Sequence, residues 1–246
     1  MFKVIKGIRV NYTQYGEGED IVLLHGWGQN IKMMEPLAKR VSENKRITII
    51  DLPGFGLSNE PEEAYSVYDY VDFLVAFFKE LNINKPTLIG HSFGGRLSII
   101  YASKYDTNKI ILLGSPCVRH EYKSFKQSLL KFLKKLKIFN SLVNLMKKHT
   151  GSLDYRNATP KMREILVKTV NEDLGECAKK IKCKALLIWG DNDTAVPVNQ
   201  AKELDELIEN SKLIVLPGTH YLYLEKLGEV SQLINDFIKE EAWSYY

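Results

Sequence analysis

The amino-acid sequence predicts an α/β fold, with a mostly parallel twisted sheet and helices on both of its faces. Short runs of Ile, Leu and Val, each with Gly, Pro or Asp at its end, alternate along the chain with longer segments of helical periodicity. Runs that are apolar at every position are typical of strands covered on both faces of a parallel sheet. Alternation of strands and helices implies β-α-β crossovers within one sheet.

The N-terminal segment is the first predicted element and differs from the others. Residues 2–16 alternate between apolar and polar side chains. This alternation is typical of a strand with one solvated face, and the Lys6-Gly7 pair provides a tight turn. We therefore expect an antiparallel hairpin at the edge of the sheet.

Six apolar runs follow as predicted buried strands, and helical segments separate most of them. The strands are rich in Ile, Leu and Val, whereas the helices place apolar residues three or four positions apart. The predicted strands cover residues 20–26, 46–54, 86–92, 109–116, 184–191 and 212–220, and the predicted helices cover 33–44, 66–82, 94–105, 198–210 and 229–243.

The region from 118 to 181 interrupts the alternation of strands and helices. It contains no strand pattern, and apolar residues recur every three or four positions between Phe125 and Phe139. This spacing predicts a helix with one apolar face. We interpret residues 1–117 and 182–246 as one core domain, and residues 118–181 as a helical lid inserted over the carboxyl ends of the strands.

Composition and charge restrict the class of protein. The chain has 246 residues, 45% of them hydrophobic, and a net charge of +4, which is ordinary for a globular protein and gives no reason to expect nucleic-acid binding. No apolar run reaches the roughly 18 residues that span a bilayer, and the N-terminus lacks the apolar core of a signal peptide. The three cysteines, Cys117, Cys177 and Cys183, have no disulfide or metal-ligand spacing. We expect a cytoplasmic protein without a metal.

The motif Gly90-His91-Ser92-Phe93-Gly94 stands between a predicted strand and a predicted helix. Glycine is unfavourable inside either element, so glycines around one serine need a local reason. A G-x-S-x-G motif in this context forms a sharp turn that exposes the serine hydroxyl, and the glycines let the strand and the helix approach each other. The sequence therefore predicts Ser92 as a nucleophile.

The segment His25-Gly26-Trp27-Gly28 ends an earlier predicted strand. A glycine-containing loop leaves backbone N–H groups without partners. The N–H groups of Trp27 and Phe93 are therefore candidates for a two-donor oxyanion hole. His25 itself is expected to bond the loop backbone, and it is kept as a candidate substrate contact.

A serine nucleophile needs a base and an acid that orients the base. Five histidines are available, and position in the chain favours His220, which follows the last predicted strand. The acid should follow the preceding strand, where both Asp191 and Asp193 occur; we prefer Asp193, and Asp191 is expected to cap the loop. The order Ser, Asp, His is the order expected of this type of fold.

Five sequence blocks occur in order along the chain: HGWG at 25–28, DLPGFGLS at 51–58, GHSFGG at 90–95, GDNDTAVP at 190–197 and PGTHYLYLE at 217–225. With these blocks the chain resembles the α/β-hydrolase superfamily over nearly its whole length. The resemblance implies catalytic Ser92, Asp193 and His220, an oxyanion hole at Trp27 and Phe93, and no organic cofactor. The motifs are most similar to small carboxylesterases such as the pimeloyl-carrier-protein methyl ester esterase.

Two features bear on the substrate and leave alternatives open. Residues 118–150 contain nine Lys and Arg residues and one acid, so a basic lid is a candidate docking surface for an acidic carrier protein, or simply a solvated helix face. Arg96, one helical turn after Ser92, resembles a residue of the menaquinone-pathway synthase and is a candidate substrate contact or a structural ion-pair partner. The sequence thus favours hydrolysis of a small or medium carboxylic ester. The alternatives are carbon–carbon bond cleavage of an anionic substrate and a non-catalytic binding module.

Overall fold

A computed structural model describes residues 1–41, 43–118 and 158–239. Eight strands form one sheet in the order β1-β2-β4-β3-β5-β6-β7-β8. The first two strand pairs in that order are antiparallel and the remaining pairs are parallel. The strands are β1 Phe2–Ile5, β2 Ile8–Tyr15, β3 Glu19–Leu24, β4 Lys45–Ile50, β5 Thr87–His91, β6 Lys109–Leu113, β7 Lys184–Gly190 and β8 Ser211–Leu216. The predicted α/β class with a mostly parallel sheet is confirmed.

The edge hairpin also agrees with the sequence pattern. Strands β1 and β2 pair with Ile5 opposite Ile8, so the turn consists of Lys6 and Gly7. Both turn residues have positive φ, 49° at Lys6 and 80° at Gly7. This conformation matches the right-handed twist of a two-residue hairpin.

Helices cover both faces of the sheet. In the described part of the chain they are α1 Ile31–Arg40, α2 Val67–Glu80, α3 Phe93–Lys104, α4 Pro160–Asn171, α5 Gly175–Ala178, α6 Val198–Leu207, α7 Leu222–Glu225 and α8 Leu227–Lys239. Consecutive side chains of β3 enter different cores: Val22 packs with α2 and α3, whereas Leu23 packs with α1 and α8. Because both faces are covered, the strands are apolar at every position, as the sequence pattern indicated.

Several predicted strands end earlier in the structure than expected. The run 46–54 leaves the sheet after Ile50, where the buried Asp51 carboxylate accepts the N–H groups of Ile31 and Leu57. The run 212–220 leaves it after Leu216, so His220 lies in a turn. These early ends create the loops in which the candidate site residues lie.

Of the region interpreted as a lid, residues 119–157 lie outside the described residues. The described remainder contains α4 and α5, and α4 lies against the segment that follows β4. The Thr159 hydroxyl donates to Glu60, and Lys168 Nζ donates to the carbonyl of Ala64 over 2.9 Å. Helix α4 therefore packs at the carboxyl end of the sheet.

No helix of the described residues is long and apolar enough to cross a membrane.

All three cysteines are free thiols. Cys117 is buried, and burial raises the pKa of its thiol to about 12.

Candidate active site

Ser92 occupies the turn between β5 and α3. Its φ is 48° and its ψ is −107°, a conformation that is strained for a residue with a side chain. The turn is closed by backbone bonds, since Ser92 N–H donates to Leu113 over 2.9 Å and the Ser92 carbonyl accepts Gly95 N–H over 3.1 Å. The Ser92 side chain makes no capping bond to the helix that it precedes, so its hydroxyl does not accept a backbone N–H of α3.

The glycines around Ser92 lie where no side chain fits. A Cβ atom on Gly90 would lie 2.6 Å from the backbone of Gly94. A Cβ atom on Gly94 would overlap the carbonyl oxygen of Leu24, and one on Gly95 would overlap Ser115 Oγ. The strand, the helix and the neighbouring strand ends thus approach each other more closely than any other residue allows.

His220 and Asp193 form a direct pair. His220 Nδ1 lies 2.7 Å from Asp193 Oδ2. The other oxygen of the carboxylate accepts the N–H groups of Ala195 and Val196 over 2.9 and 2.8 Å, and Asp193 is only 5% exposed. These bonds fix the carboxylate and keep one lone-pair direction for the imidazole, whose Nδ1 therefore carries the proton.

Asp191, the other candidate acid, has a different environment. Its carboxylate accepts the N–H of Gly218 over 3.0 Å and the side-chain amide of Asn192 over 2.7 Å. The structure thus places Asp193, and not Asp191, against the ring of His220. Asp191 ties the loop that precedes His220 to the end of β7.

A glycine that the sequence pattern did not single out lies beside this pair. Gly114 has a φ of 53°, and a Cβ atom there would lie 3.1 Å from His220 Nδ1 and 3.2 Å from Asp193 Oδ2. A side chain would press on the pair from the end of β6. Only the tertiary contact identifies this position, because Gly114 belongs to no motif.

The loop after β3 brings Trp27 next to Phe93. Their rings meet edge to face with centroids 5.4 Å apart, and Phe55 packs edge to face on Trp27 at 4.8 Å. Within the described residues, neither the Trp27 nor the Phe93 backbone N–H donates a hydrogen bond. Two unpaired donors on adjoining residues are what an oxyanion hole requires.

His25 is completely buried, and both of its ring nitrogens have backbone partners. Nδ1 lies 2.7 Å from the carbonyl of Gly26, and Nε2 accepts the N–H of Leu52 over 3.0 Å. Burial lowers the pKa of His25 to about 4, so the ring is neutral at neutral pH. With one donor and one acceptor both used, neither nitrogen is left for a substrate.

Arg96 is also turned inward. Its guanidinium donates to the carbonyls of Pro116 over 3.2 Å and Glu172 over 2.6 Å, and the residue is 5% exposed. Burial lowers the pKa of this guanidinium. Arg96 thereby joins Pro116, which precedes the 118–181 region, to Glu172 within that region, instead of presenting its charge to an open site.

A cavity of about 340 Å³ opens beside Trp27. Three segments surround it: the loop after β3, the loop after β4 and the start of α4. Its walls combine apolar and aromatic side chains with the polar side chains of Gln29, Asn30 and Thr159, and Glu60 supplies the single carboxylate among the described lining residues. The volume lies at the lower end of the range for small-molecule sites.

Comparison with known proteins agrees with the fold and the motifs. The family model described as the alpha/beta hydrolase fold matches residues 21–131. A 2-hydroxy-6-oxo-2,4-heptadienoate hydrolase of Pseudomonas putida is 24% identical over 264 residues, covering 96% of this chain and 94% of the relative. A pimeloyl-(acyl-carrier protein) methyl ester esterase of Aliivibrio fischeri is 23% identical over 253 residues, covering 92% of this chain and 96% of the relative.

Among solved structures, the meta-cleavage product hydrolase of Pseudomonas fluorescens IP01 matches with a TM-score of 0.77 at 24% identity, covering 98% of both chains. The matched family model, the relatives and the eight-stranded sheet together show that the chain has the alpha/beta hydrolase fold and that it is similar to enzymes of that fold.

Proposed function

We propose that this protein is a serine hydrolase that cleaves a carboxylic ester of a small or medium acyl group. The observation that carries the proposal is the 2.7 Å contact between His220 Nδ1 and Asp193, at the same end of the sheet as the strained turn of Ser92. A nucleophile at a turn, a base and a buried acid are the three parts that acyl transfer from an ester requires.

The reaction proceeds through an acyl-enzyme. Ser92 Oγ forms a bond to the carbonyl carbon while His220 Nε2 takes the hydroxyl proton, and Asp193 stabilises the resulting imidazolium. The tetrahedral intermediate expels the alcohol oxygen, which receives the proton from His220. Water then loses a proton to His220 and attacks the acyl carbon. The bond from that carbon to Ser92 Oγ breaks, Ser92 Oγ takes the proton back from His220, and the carboxylic acid leaves.

Developing negative charge on the carbonyl oxygen is stabilised by the N–H groups of Trp27 and Phe93. The absence of other acceptors for these two donors in the described residues supports this role. The positive end of the α3 dipole, which begins at Phe93, acts in the same direction. Loss of one such donor in a hydrolase lowers the rate by roughly 10²–10³-fold.

We propose that the cavity of about 340 Å³ holds the acyl group, since Trp27 belongs both to its wall and to the proposed oxyanion hole. We propose residues 118–181 as a lid above it.

An acidic carrier protein is the proposed partner for the basic residues between 118 and 150, as the name of the Aliivibrio relative suggests. The free cysteines favour a reducing compartment, and we propose the cytoplasm.

Carbon–carbon bond hydrolysis is a second candidate, favoured by the names of the Pseudomonas relatives. On this hypothesis a cationic side chain would hold the substrate carboxylate. Arg96 does not support it, because two of its guanidinium nitrogens already serve backbone carbonyls. The Lys and Arg residues of the 118–150 segment lie between 119 and 148, outside the described residues.

Hydrolysis of p-nitrophenyl esters from acetate to laurate tests the proposal. We expect turnover that is highest at one chain length, and a fall of about 10⁶-fold in kcat for Ser92→Ala, because the nucleophile is lost. A fluorophosphonate probe should label the wild type and not the variant. Labelling without turnover of any ester would favour the carbon–carbon reaction, and the absence of both labelling and turnover would favour a non-catalytic binding module.

A further inference from the structure

His91 is a buried titratable residue that the proposed proton transfers do not use. It directly precedes Ser92, lies at the end of β5 and is only 1% exposed. Its ring packs between those of His220 and Tyr223, with centroid distances of 4.8 and 4.7 Å. A side chain in this position contacts the base from the nucleophile's own strand.

Both ring nitrogens of His91 lie within hydrogen-bond distance of another segment. Nε2 lies 3.0 Å from the backbone carbonyl oxygen of His220. Nδ1 lies 3.2 Å from Gln29 Oε1, and the same oxygen accepts the N–H of Gly26 over 3.0 Å. The His91 ring therefore lies between the loop that carries the base and the loop that carries the Trp27 donor.

The two atoms that the His91 nitrogens approach, Gln29 Oε1 and the carbonyl oxygen of His220, are both acceptors. A neutral imidazole has one N–H and can therefore donate to only one of them. Burial, reinforced by the charge of His220, lowers the pKa of His91 to about 3, and the ring therefore carries a single N–H at neutral pH. Gln29 Oε1 already receives Gly26 N–H. Among the described donors, only His91 reaches the carbonyl of His220. A carbonyl that is partly removed from solvent is usually paired with a donor, so the proton is expected on Nε2 of His91.

We propose that His91 is a positioning residue whose Nε2–H anchors the backbone carbonyl of His220 and so holds the general base at a fixed place relative to Ser92. This inference rests on the proposed serine hydrolase function. Because His91 and Ser92 are adjacent in the chain, the bond couples the base to the nucleophile across the gap between β5 and the loop after β8. Misplacement of a catalytic group by about 1 Å lowers rates as much as 10²-fold.

Two substitutions separate anchoring from packing. In His91→Gln the amide nitrogen is as many bonds from Cα as Nε2, so it can donate to the His220 carbonyl. In His91→Asn the amide nitrogen corresponds to Nδ1 and cannot reach that carbonyl. Both substitutions remove the ring. We expect kcat for the best p-nitrophenyl ester to fall about tenfold or more in His91→Asn and less than about threefold in His91→Gln, with KM within about twofold in both.

Equal losses of kcat in the two variants would overturn the inference, since they would indicate that only the ring's packing matters. Unchanged kcat in His91→Asn would overturn it as well. Fluorophosphonate labelling of the wild type separates this failure from failure of the proposed function: an unlabelled wild type overturns the function and this role with it, whereas equal labelling rates of all three proteins overturn only the role of His91.

A measurement on the wild type makes the test independent of how well the variants fold. Nitrogen-15 NMR of the histidine rings, with the His91 signal assigned from its absence in either variant that expresses, reports which nitrogen carries the proton. We expect Nε2 to be protonated and Nδ1 to be unprotonated at pH 7. Protonation of Nδ1 instead would overturn the inference.

Discussion

The turn that holds Ser92 and the loop that holds His220 are built by different means. Ser92 is held by backbone hydrogen bonds and by the absence of side chains on three neighbouring glycines. His220 is held by side chains: Asp193 on its ring, His91 on its carbonyl, and Asp191 and Glu225 on the residues just before it. The proposed nucleophile is fixed by backbone shape and should tolerate few local substitutions, whereas the proposed base is fixed by side chains and depends on residues far away in the chain.

The largest expected effect distinguishes the two acids of the His220 loop. Asp193→Asn should lower kcat by about 10⁴-fold, because an amide on Nδ1 favours the wrong tautomer of His220. Asp191→Asn is the matched control, since it alters an acid two residues away that serves only the loop. We expect its kcat to fall less than about tenfold. Similar losses in steady-state assays of the two variants would contradict the assignment of Asp193.

A smaller effect tests whether the Ser92 turn is held by glycines. Gly94→Ala places a methyl group on the carbonyl of Leu24, so we expect unfolding in urea at lower concentration, with a loss of about 2–4 kcal/mol. Gly228→Ala is the matched control, because nothing lies within 4 Å of the place that its methyl group would take at the start of α8. That change should stabilise by up to about 1 kcal/mol. Equal urea midpoints for the two variants would contradict the steric account.

The smallest expected effect concerns Glu225 in the His220 loop. Its carboxylate accepts the hydroxyl and the backbone N–H of Thr219, and these bonds hold its pKa below the ordinary value of 4.5. A lowered pKa in the folded state stabilises the protein above pH 4.5 and loses this contribution as the pH falls through the folded-state pKa. The contribution is below about 1 kcal/mol, because the carboxylate is exposed to solvent.

Thermal unfolding of Glu225→Gln beside the wild type measures this contribution. The wild type should be more stable at pH 7, and the difference should shrink as the pH falls below 4.5 and the wild-type carboxylate takes up a proton. A difference that is constant between pH 3 and pH 7 would show that the carboxylate's charge does not support the loop.

The fold was largely predictable because buried parallel strands have a recognisable composition. The hairpin turn at Lys6-Gly7 and the six apolar runs correspond to observed strands. Their ends were predicted less well, since the point where a strand leaves the sheet depends on side-chain partners. At Asp51, for example, a buried carboxylate collects backbone donors from two other segments. The lid interpretation of 118–181 stays a prediction, with 119–157 outside the described residues.

In the candidate site, the order of residues along the chain indicated the three candidate catalytic residues, but not the residues that contact them. Ser92 was recognisable because a strained turn needs flanking glycines, and Asp193 and His220 follow the ends of successive strands. Gly114 and Gln29 belong to no motif, and nothing in the pattern indicates that either lies beside the base or beside His91. The sequence left Arg96 as a candidate substrate contact or a structural ion-pair partner, and the structure buries its guanidinium against two backbone carbonyls.

The sequence by itself determined which segments form strands, helices and turns, since these depend mainly on residues a few positions apart, such as Gly95, whose N–H helps to close the Ser92 turn. Only the tertiary structure decided which acid faces His220 and what holds its carbonyl. The ring of His91 and the carbonyl it contacts are 129 positions apart. Contacts at that separation follow from the order of strands in the sheet and from the loop lengths between them, and no local pattern records either of these.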